Sequence, residues 1–289
     1  MENLTLTKYR HSGKFGLPGW LGATALAAAA TLPLGFVYAY LIKWIPFVYA
    51  NALLTAGYGL GCGYLVGRLL KRAHVRNAKM AFLSGLLVGV VALYANWNGH
   101  VHALISGAPW VCSLEGIWAI MQLLYEQGSW GLRHGGNVTG VFLAIVWAVE
   151  AGCILFFSVT MPAQFISGMP YCEKTRRWLD QSQSYDTLEA LGEPMALAAL
   201  QEGNITPLLD AKPRPADARL FTRVVLKHSP QCQTFCTLQV QQVTLTPEKD
   251  GKLKEDSKEV SADLVLPHDM LETVRQFVSQ PAPAPTPAA

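Results

Sequence analysis

The stretch PGWLGATALAAAATLPLGFVYAYLI, residues 18–42, contains no charged side chain and decides the fold class. A hydrocarbon core about 30 Å thick needs roughly 20 mostly apolar residues in helical form, because a helix satisfies its own amides. Residues 47–70, 80–97 and 138–160 are similar stretches. The first is too long for a signal-peptide core and is followed at once by the second, so we expect it to be retained. The sequence therefore predicts an α-helical membrane bundle of four transmembrane helices over residues 18–160.

The composition differs between the two halves of the chain. Of the 289 residues, 51% are hydrophobic and 15% are charged, and the net charge is +3. Between residues 17 and 161 the only acids are Glu115, Glu126 and Glu150, whereas 16 of the 20 acidic side chains follow residue 172. This division excludes a single soluble domain. It also excludes a nucleic-acid binder that depends on bulk charge, because the basic residues follow the span ends.

Lysine and arginine near the span ends predict the orientation of the bundle. Eleven lie in the N-terminal segment (residues 1–17), in the link between the second and third spans and after the fourth span: Lys8, Arg10, Lys14, Arg68, Lys71, Arg72, Arg76, Lys79, Lys174, Arg176 and Arg177. The opposite side carries Lys43 and Arg133. We therefore expect both termini in the cytoplasm. The short loops and compact spans are typical of a multi-pass protein of a bacterial inner membrane.

The positions of four tryptophans support these predicted span ends. Trp20, Trp44, Trp97 and Trp130 lie at the predicted ends, where interfacial tryptophans are enriched.

Residues 111–127, VCSLEGIWAIMQLLYEQ, leave two interpretations open. The segment is apolar, but it is short for a span and contains Glu115. A fifth span would move Arg176 and Arg177 to the outside, against the charge rule. We therefore favour an amphipathic helix on the outer surface or a re-entrant segment over a fifth span.

Glycines at helical spacing predict close helix packing. They are Gly57, Gly59, Gly61, Gly63 and Gly67 in the second span and Gly85 and Gly89 in the third. Glycine at positions i and i+4 exposes backbone on which another helix packs closely. Packing inside the bundle is the simpler interpretation, and a contact between copies of the chain is the alternative.

Glu150 is the one acid predicted deep in a span. An ionised carboxylate near the middle of a membrane is costly, so Glu150 should be protonated, paired or facing a water-filled cavity. A transporter that passes a proton, an ion or a small solute is one hypothesis. A structural hydrogen bond to a neighbouring helix is the simpler one, because few other polar groups lie within the spans and no inverted repeat is evident.

Histidines beyond the third span raise the possibility of an outer metal site. His100 and His102 form a His-x-His pair, with Cys112 and Glu115 further along and His134 before the fourth span. A metalloenzyme at the membrane surface would need a third ligand and a second shell. Histidines near lipid headgroups explain the pattern equally well.

Residues 161–280 are predicted to form a small cytoplasmic α+β domain, followed by a disordered Pro/Ala tail at residues 281–289. Residues 186–203 are predicted to be helical. In that interpretation Asp186 caps the first turn, Pro194 restarts the helix and Gly203 ends it.

Three strands and a closing helix complete the predicted domain. Residues 220–226, 235–246 and 262–266 alternate as strands, and residues 268–278 place apolar side chains on one helical stripe. The alternation changes face near Gln241 and Gln242, which predicts a bulge there. Asp250 and Gly251 are expected in a charged hairpin loop.

Three cysteines and one histidine are the candidate metal ligands in this domain. Cys232 and Cys236 follow His228, and Cys172, at the membrane exit, could complete a Cys3His set only if the fold brings it close. Zinc ribbons favour two Cys separated by two residues, twice over. Here three residues separate the pair and the second pair is missing, so free thiols are the simpler interpretation and an eroded zinc site is the alternative.

Other catalytic patterns are absent from the sequence, including the P-loop, the dinucleotide fingerprint, the nucleophile elbow and HExxH. No cofactor-binding or catalytic residue is predicted. We therefore expect a scaffold or accessory subunit rather than an enzyme, with the lipid bilayer and a protein partner or a second copy as its contacts and without nucleic acid. Transport past Glu150 and an outer metalloenzyme remain the alternatives.

Overall fold

The computed structural model describes residues 4–45, 47–105, 109–128, 137–248 and 252–279. The chain forms two compact units. We call Ser12–Gly168 the helical unit, and Met1–His11 together with Met169–Ala289 the α+β unit. The predicted Pro/Ala tail, the Asp250–Gly251 loop, Trp130, Arg133 and His134 lie outside the described residues.

The described part of the helical unit has five helices. They are α1 (Leu17–Trp44), α2 (Val48–Arg72), α3 (Ala78–Leu104), α4 (Leu114–Gln127) and α5 (Gly140–Ser167). Three of them, α1, α3 and α5, are long and apolar enough to cross a membrane. The predicted second span is also a helix, but α2 is not among these three because its glycines, its tyrosines and Asn51 lower its hydropathy.

Helix α4 lies within the ambiguous segment 111–127 and is short. The Ser113 hydroxyl accepts a hydrogen bond from the Gly116 N–H at 3.1 Å and caps the first turn. Its 14 residues extend about 21 Å at 1.5 Å per residue, less than the thickness of a hydrocarbon core. Ile117 is its one buried side chain. This length does not favour the fifth-span alternative.

Helix α5 packs closely against α2 and α3 where glycines remove the side chains between them. A Cβ added at Gly63 would lie 2.6 Å from the Phe157 carbonyl oxygen and 2.7 Å from Met161 Cβ. A Cβ would also come close to atoms of α5 if it were added at Gly59, Gly67, Gly85 or Gly89. Gly57 and Gly61 differ, because a Cβ there would meet no atom within 4 Å. Packing inside the bundle therefore accounts for part of the glycine pattern, and Gly57 and Gly61 lie on an open face.

The α+β unit contains a five-stranded antiparallel sheet in the order β3-β4-β5-β6, with β7 also paired to β5. The strands are β3 (Gln181–Glu189), β4 (Leu220–His228), β5 (Phe235–Pro247), β6 (Leu253–Glu259) and β7 (Leu264–Pro267). A separate two-stranded hairpin pairs β1 (Tyr171–Cys172) with β2 (Arg177–Trp178). The helices are α6 (Pro194–Gln201), α7 (Thr206–Leu209) and α8 (Leu271–Val278), which a 3-10 turn at His268–Met270 precedes.

One apolar core joins these helices to one face of the sheet. Its buried members include Leu200 and Leu208 from α6 and α7, Val224 and Leu226 from β4, and Val274 from α8. Leu6, from the N-terminal segment, belongs to the same core. Burial of each such side chain stabilises the fold by about 1.5–3 kcal/mol.

The N-terminal segment is an integral part of this unit, which the sequence did not predict. Leu6 N–H donates to the Gly203 carbonyl at 2.8 Å, and Ile205 N–H donates to the Leu4 carbonyl at 3.0 Å. Val265 N–H donates to the Thr7 carbonyl at 2.7 Å, so the segment also runs along β7. Backbone hydrogen bonds therefore pair the N-terminal segment with residues more than 190 positions further along the chain.

The prediction of a helix from Asp186 is wrong. Residues 181–189 form β3, and the helix is limited to Pro194–Gln201. The Asp186 carboxylate, instead of capping a helix, binds the Arg223 guanidinium through two contacts of 2.6 and 2.7 Å. Gly203 does lie just beyond the helix end at φ +96°, the conformation that glycine tolerates best.

The predicted bulge at Gln241 and Gln242 is also wrong. Strand β5 pairs with β4 and β6 there in continuous register, and the irregularity lies in β3, between Tyr185 and Leu188. The sequence pattern changes face because Val240 and Val243 are both fully buried, on opposite faces of β5. Strand β6 was not predicted, because all seven of its residues are exposed and give no hydrophobic alternation.

The glycine contacts predict a difference between two alanine substitutions in α2. Gly63→Ala should lower the free energy of unfolding by about 1–3 kcal/mol, since the new methyl group would overlap α5. Gly61→Ala, the matched control, should leave stability unchanged or raise it by about 0.5–1 kcal/mol because alanine favours a helix. Unfolding of the purified chain by SDS in mixed micelles measures both. Equal stability of the two variants would contradict the packing.

Candidate functional site

Glu150 lies at the centre of a polar cluster inside the helical unit. Its Oε1 accepts a hydrogen bond from the Tyr38 hydroxyl at 2.6 Å and one from Asn96 Nδ2 at 3.3 Å. Tyr38 is on α1, Asn96 on α3 and Glu150 on α5. The carboxyl group is therefore paired with neighbouring helices, as the simpler sequence hypothesis proposed.

The cluster extends to α2 through a second hydroxyl group. The Tyr38 and Thr55 hydroxyl oxygens are 2.7 Å apart, and the Thr55 hydroxyl donates to the Asn51 carbonyl at 2.9 Å. The Tyr38 ring stacks on Tyr58 with centroids 4.6 Å apart. Four helices thus contribute to one connected group of polar and aromatic contacts.

The residues of the proposed outer metal site do not converge. The His102 Nδ1 is 2.7 Å from the Tyr40 hydroxyl, and the His100 ring lies beside Trp97, with centroids 6.0 Å apart. The Cys112 thiol donates to the carbonyl of Trp110, two residues before it. Within the described residues, no three His, Cys, Asp or Glu side chains come together in a way that could hold a metal ion.

The four candidate ligands in the α+β unit divide into separate places. Cys172 and Cys232 lie together in a small buried cluster with Leu179, against which Phe235 packs. Cys236 belongs to the main core, where its thiol donates to the Leu266 carbonyl at 3.6 Å. The structure therefore brings two of the four residues together and does not assemble the Cys3His set that was the alternative to free thiols.

The surroundings of Cys236 and His228 shift the pKa values of both side chains. Burial raises the pKa of Cys236 to about 12, so this thiol stays protonated at neutral pH. Burial, with nearby Arg275 and His268, lowers the pKa of His228 below its ordinary value.

The sheet face opposite the core carries a row of ion pairs. Arg223 alternates with the core residues Val224 and Leu226, so it points to the other face, where it binds Asp186 on β3 and Glu255 on β6. Hydrogen bonds to both carboxylates raise its pKa above the ordinary value. On the same face, Lys227 Nζ lies 2.9 Å from Asp263 Oδ2. We call these five residues the ion-paired face.

The sequence did not reveal this face, because Arg223 on β4 finds its partners on β3 and β6, and Asp263 lies between β6 and β7. The only local signal was the alternation of polar and apolar residues along β4. The Glu150 cluster was partly visible, since Asn51 and Thr55 lie four residues apart in α2 and Glu150 was already a candidate.

Comparisons with known proteins give no match. No family model, no curated protein and no solved structure matches this chain. The interpretation of the site therefore depends on the geometry of the chain itself.

The Glu150 contacts predict that the Tyr38 hydroxyl stabilises the bundle. Tyr38→Phe should lower the free energy of unfolding by about 1–3 kcal/mol, because it removes the group that joins Glu150 to Thr55. Tyr64→Phe on α2 is the matched control: the Tyr64 ring is 48% exposed, and the change should stay within about 0.5 kcal/mol. SDS-induced unfolding measures both variants. A Tyr38 variant as stable as the control would show that the cluster does not hold the helices together.

Proposed function

We propose that the chain crosses the membrane four times, with α1, α2, α3 and α5 as the spans. The support is that a chain whose two ends lie on the same side of a membrane must cross it an even number of times. Residues 4–9 belong to the same compact unit as residues 169–279, so the two ends of the bundle must lie on one side of the membrane. An even number of crossings is then required, and three spans would not satisfy it.

Helix α2 is the best fourth span. Its 25 residues extend about 37 Å, enough to cross a hydrocarbon core. It packs against α1 and α5, and its closest contacts with α5 are made through glycines. Helix α4, at about 21 Å, is too short and fits a segment on the outer side.

The α+β unit then faces the cytoplasm. Eleven lysines and arginines flank the spans on the side of the two termini, and two lie on the other side. A bacterial inner membrane is the proposed location, on the basis of the short loops and compact spans.

The bundle serves as a membrane anchor for a protein-binding domain, which makes the chain a scaffold or accessory subunit. The ion-paired face carries this proposal, because it holds charges of both signs in fixed positions on the side of the sheet opposite the apolar core, with Asp186 and Glu255 as its most exposed members. Ordered charges of both signs give a partner orientation and specificity. The contacts of Glu150 favour a structural role over transport, since the carboxyl group is bound to α1 and α3.

A pair of charge exchanges tests this function. The tagged full-length chain is extracted from its native membrane in mild detergent, and the mass and protein content of the particle are measured. We expect a second protein in stoichiometric amount. The double variant Lys227→Asp with Asp263→Lys keeps the ion pair but exchanges its charges, so it should reduce that partner at least tenfold.

The control exchanges the charges of another ion pair in the same unit. Glu272 and Arg275 on α8 are 2.6 Å apart, away from the ion-paired face, and Glu272→Arg with Arg275→Glu should leave the partner bound. Absence of a stoichiometric partner, or equal retention in both double variants, would contradict the proposed function.

A further inference from the structure

Cys172 and Cys232 form a pair of thiols that the proposed function does not use. We call them the thiol pair. Cys172 ends β1, and Cys232 lies in the turn between β4 and β5. Each is 1% exposed, and the Thr234 hydroxyl lies 3.3 Å from the sulfur of Cys172 and 3.1 Å from that of Cys232. One hydroxyl group therefore bridges two sulfur atoms that are 60 residues apart in sequence.

The surrounding structure fixes the position of Cys172. The hairpin of β1 and β2 pairs Cys172 with Arg177, and Arg176 turns the chain at φ +54°. Tyr171, next to Cys172, donates its N–H to the Tyr9 hydroxyl at 2.8 Å. The N-terminal segment thus helps to hold this sulfur in place.

The surroundings of Cys172 make its thiol more acidic than an ordinary cysteine. Burial alone would raise the pKa of Cys172, but hydrogen bonds from Cys232, Thr175 and Thr234 lower it to about 7. Roughly half of Cys172 is then a thiolate at neutral pH, and the thiolate is the nucleophilic form. Cys236, with its pKa raised to about 12, is an inert thiol in the same unit and supplies a natural control.

We propose that the thiol pair is a redox site that closes to a disulfide on reaction with hydrogen peroxide. The Cys172 thiolate attacks one peroxide oxygen, the O–O bond breaks, and Cys172 becomes a sulfenic acid while the released hydroxide takes up a proton to form water. The Cys232 sulfur then loses its proton and attacks the Cys172 sulfur. The S–S bond forms, the S–O bond breaks, and the hydroxyl leaves with that proton as a second water. Two thiols are oxidised and one peroxide is reduced.

Access to the pair favours a small oxidant. Both sulfurs are buried, but Glu173, Lys174, Gln233 and Thr234, which flank them in sequence, are exposed. The pair therefore lies directly beneath the surface, within reach of hydrogen peroxide and poorly placed for attack by a protein disulfide. In a reducing compartment such a disulfide is transient and serves redox sensing rather than stability.

The test uses the reduced full-length chain in detergent micelles at neutral pH. Hydrogen peroxide is added, free thiols are blocked with N-ethylmaleimide in denaturant, and peptides are mapped by mass spectrometry. The expected product is one intramolecular Cys172–Cys232 linkage, lighter by two hydrogen atoms and reversed by dithiothreitol. Cys172→Ser and Cys232→Ser should each abolish it, whereas Cys236→Ser should form it to the same extent as the unmodified chain.

Three results would overturn the proposal. The pair could stay reduced under peroxide that oxidises the exposed Cys112. The linkage could instead join Cys112, Cys236 or a second copy of the chain. The purified chain could also hold a stoichiometric metal ion that Cys172→Ser releases. Because peptide mapping of the unmodified chain detects the linkage directly, the proposal is tested even if a serine variant fails to fold.

Discussion

The backbone pairing of the N-terminal segment with the α+β unit is the constraint on which the rest of the account depends. Leu6 N–H donates to the Gly203 carbonyl, Val265 N–H donates to the Thr7 carbonyl, and the Leu6 side chain enters the core of that unit. A membrane cannot separate segments that share backbone hydrogen bonds and a core. The proposed even number of crossings, with α2 as a span and α4 outside the spans, depends on this pairing.

Inside the bundle, polar contacts and close packing act together. Five glycines bring α2 and α3 close to α5, and Tyr38 reaches both Glu150 and Thr55. In a lipid environment helix association has little hydrophobic driving force, so such packing and hydrogen bonds supply the specificity. The contacts of Glu150 with α1 and α3 are compatible with the proposed anchoring role.

The sequence predicted what depends on local composition and missed what depends on distant contacts. The apolar stretches placed α1, α3 and α5, and the apolar stripe placed α8. Leu188 and Leu191 have helical spacing, yet pairing with β4 holds residues 181–189 in a strand. The pairing of the N-terminal segment and the exposed strand β6 gave no signal, because each is defined by partners far away in sequence. Cys172 and Cys232 were candidate ligands, but nothing in the sequence showed that these two cysteines lie together. Glu150 was a candidate because it is the one acid deep in a predicted span. Its partners on α1 and α3 could not be predicted from the sequence.

The most direct test is the sidedness of the two chain ends in one preparation. Different epitope tags are placed before Met1 and after Ala289, and protease is added to intact spheroplasts and to inverted membrane vesicles. The account predicts that both tags are protected in spheroplasts and both are cleaved in inverted vesicles. Cleavage of one tag in each preparation would put the ends on opposite sides, and would contradict both the even number of spans and the pairing of the N-terminal segment with the α+β unit.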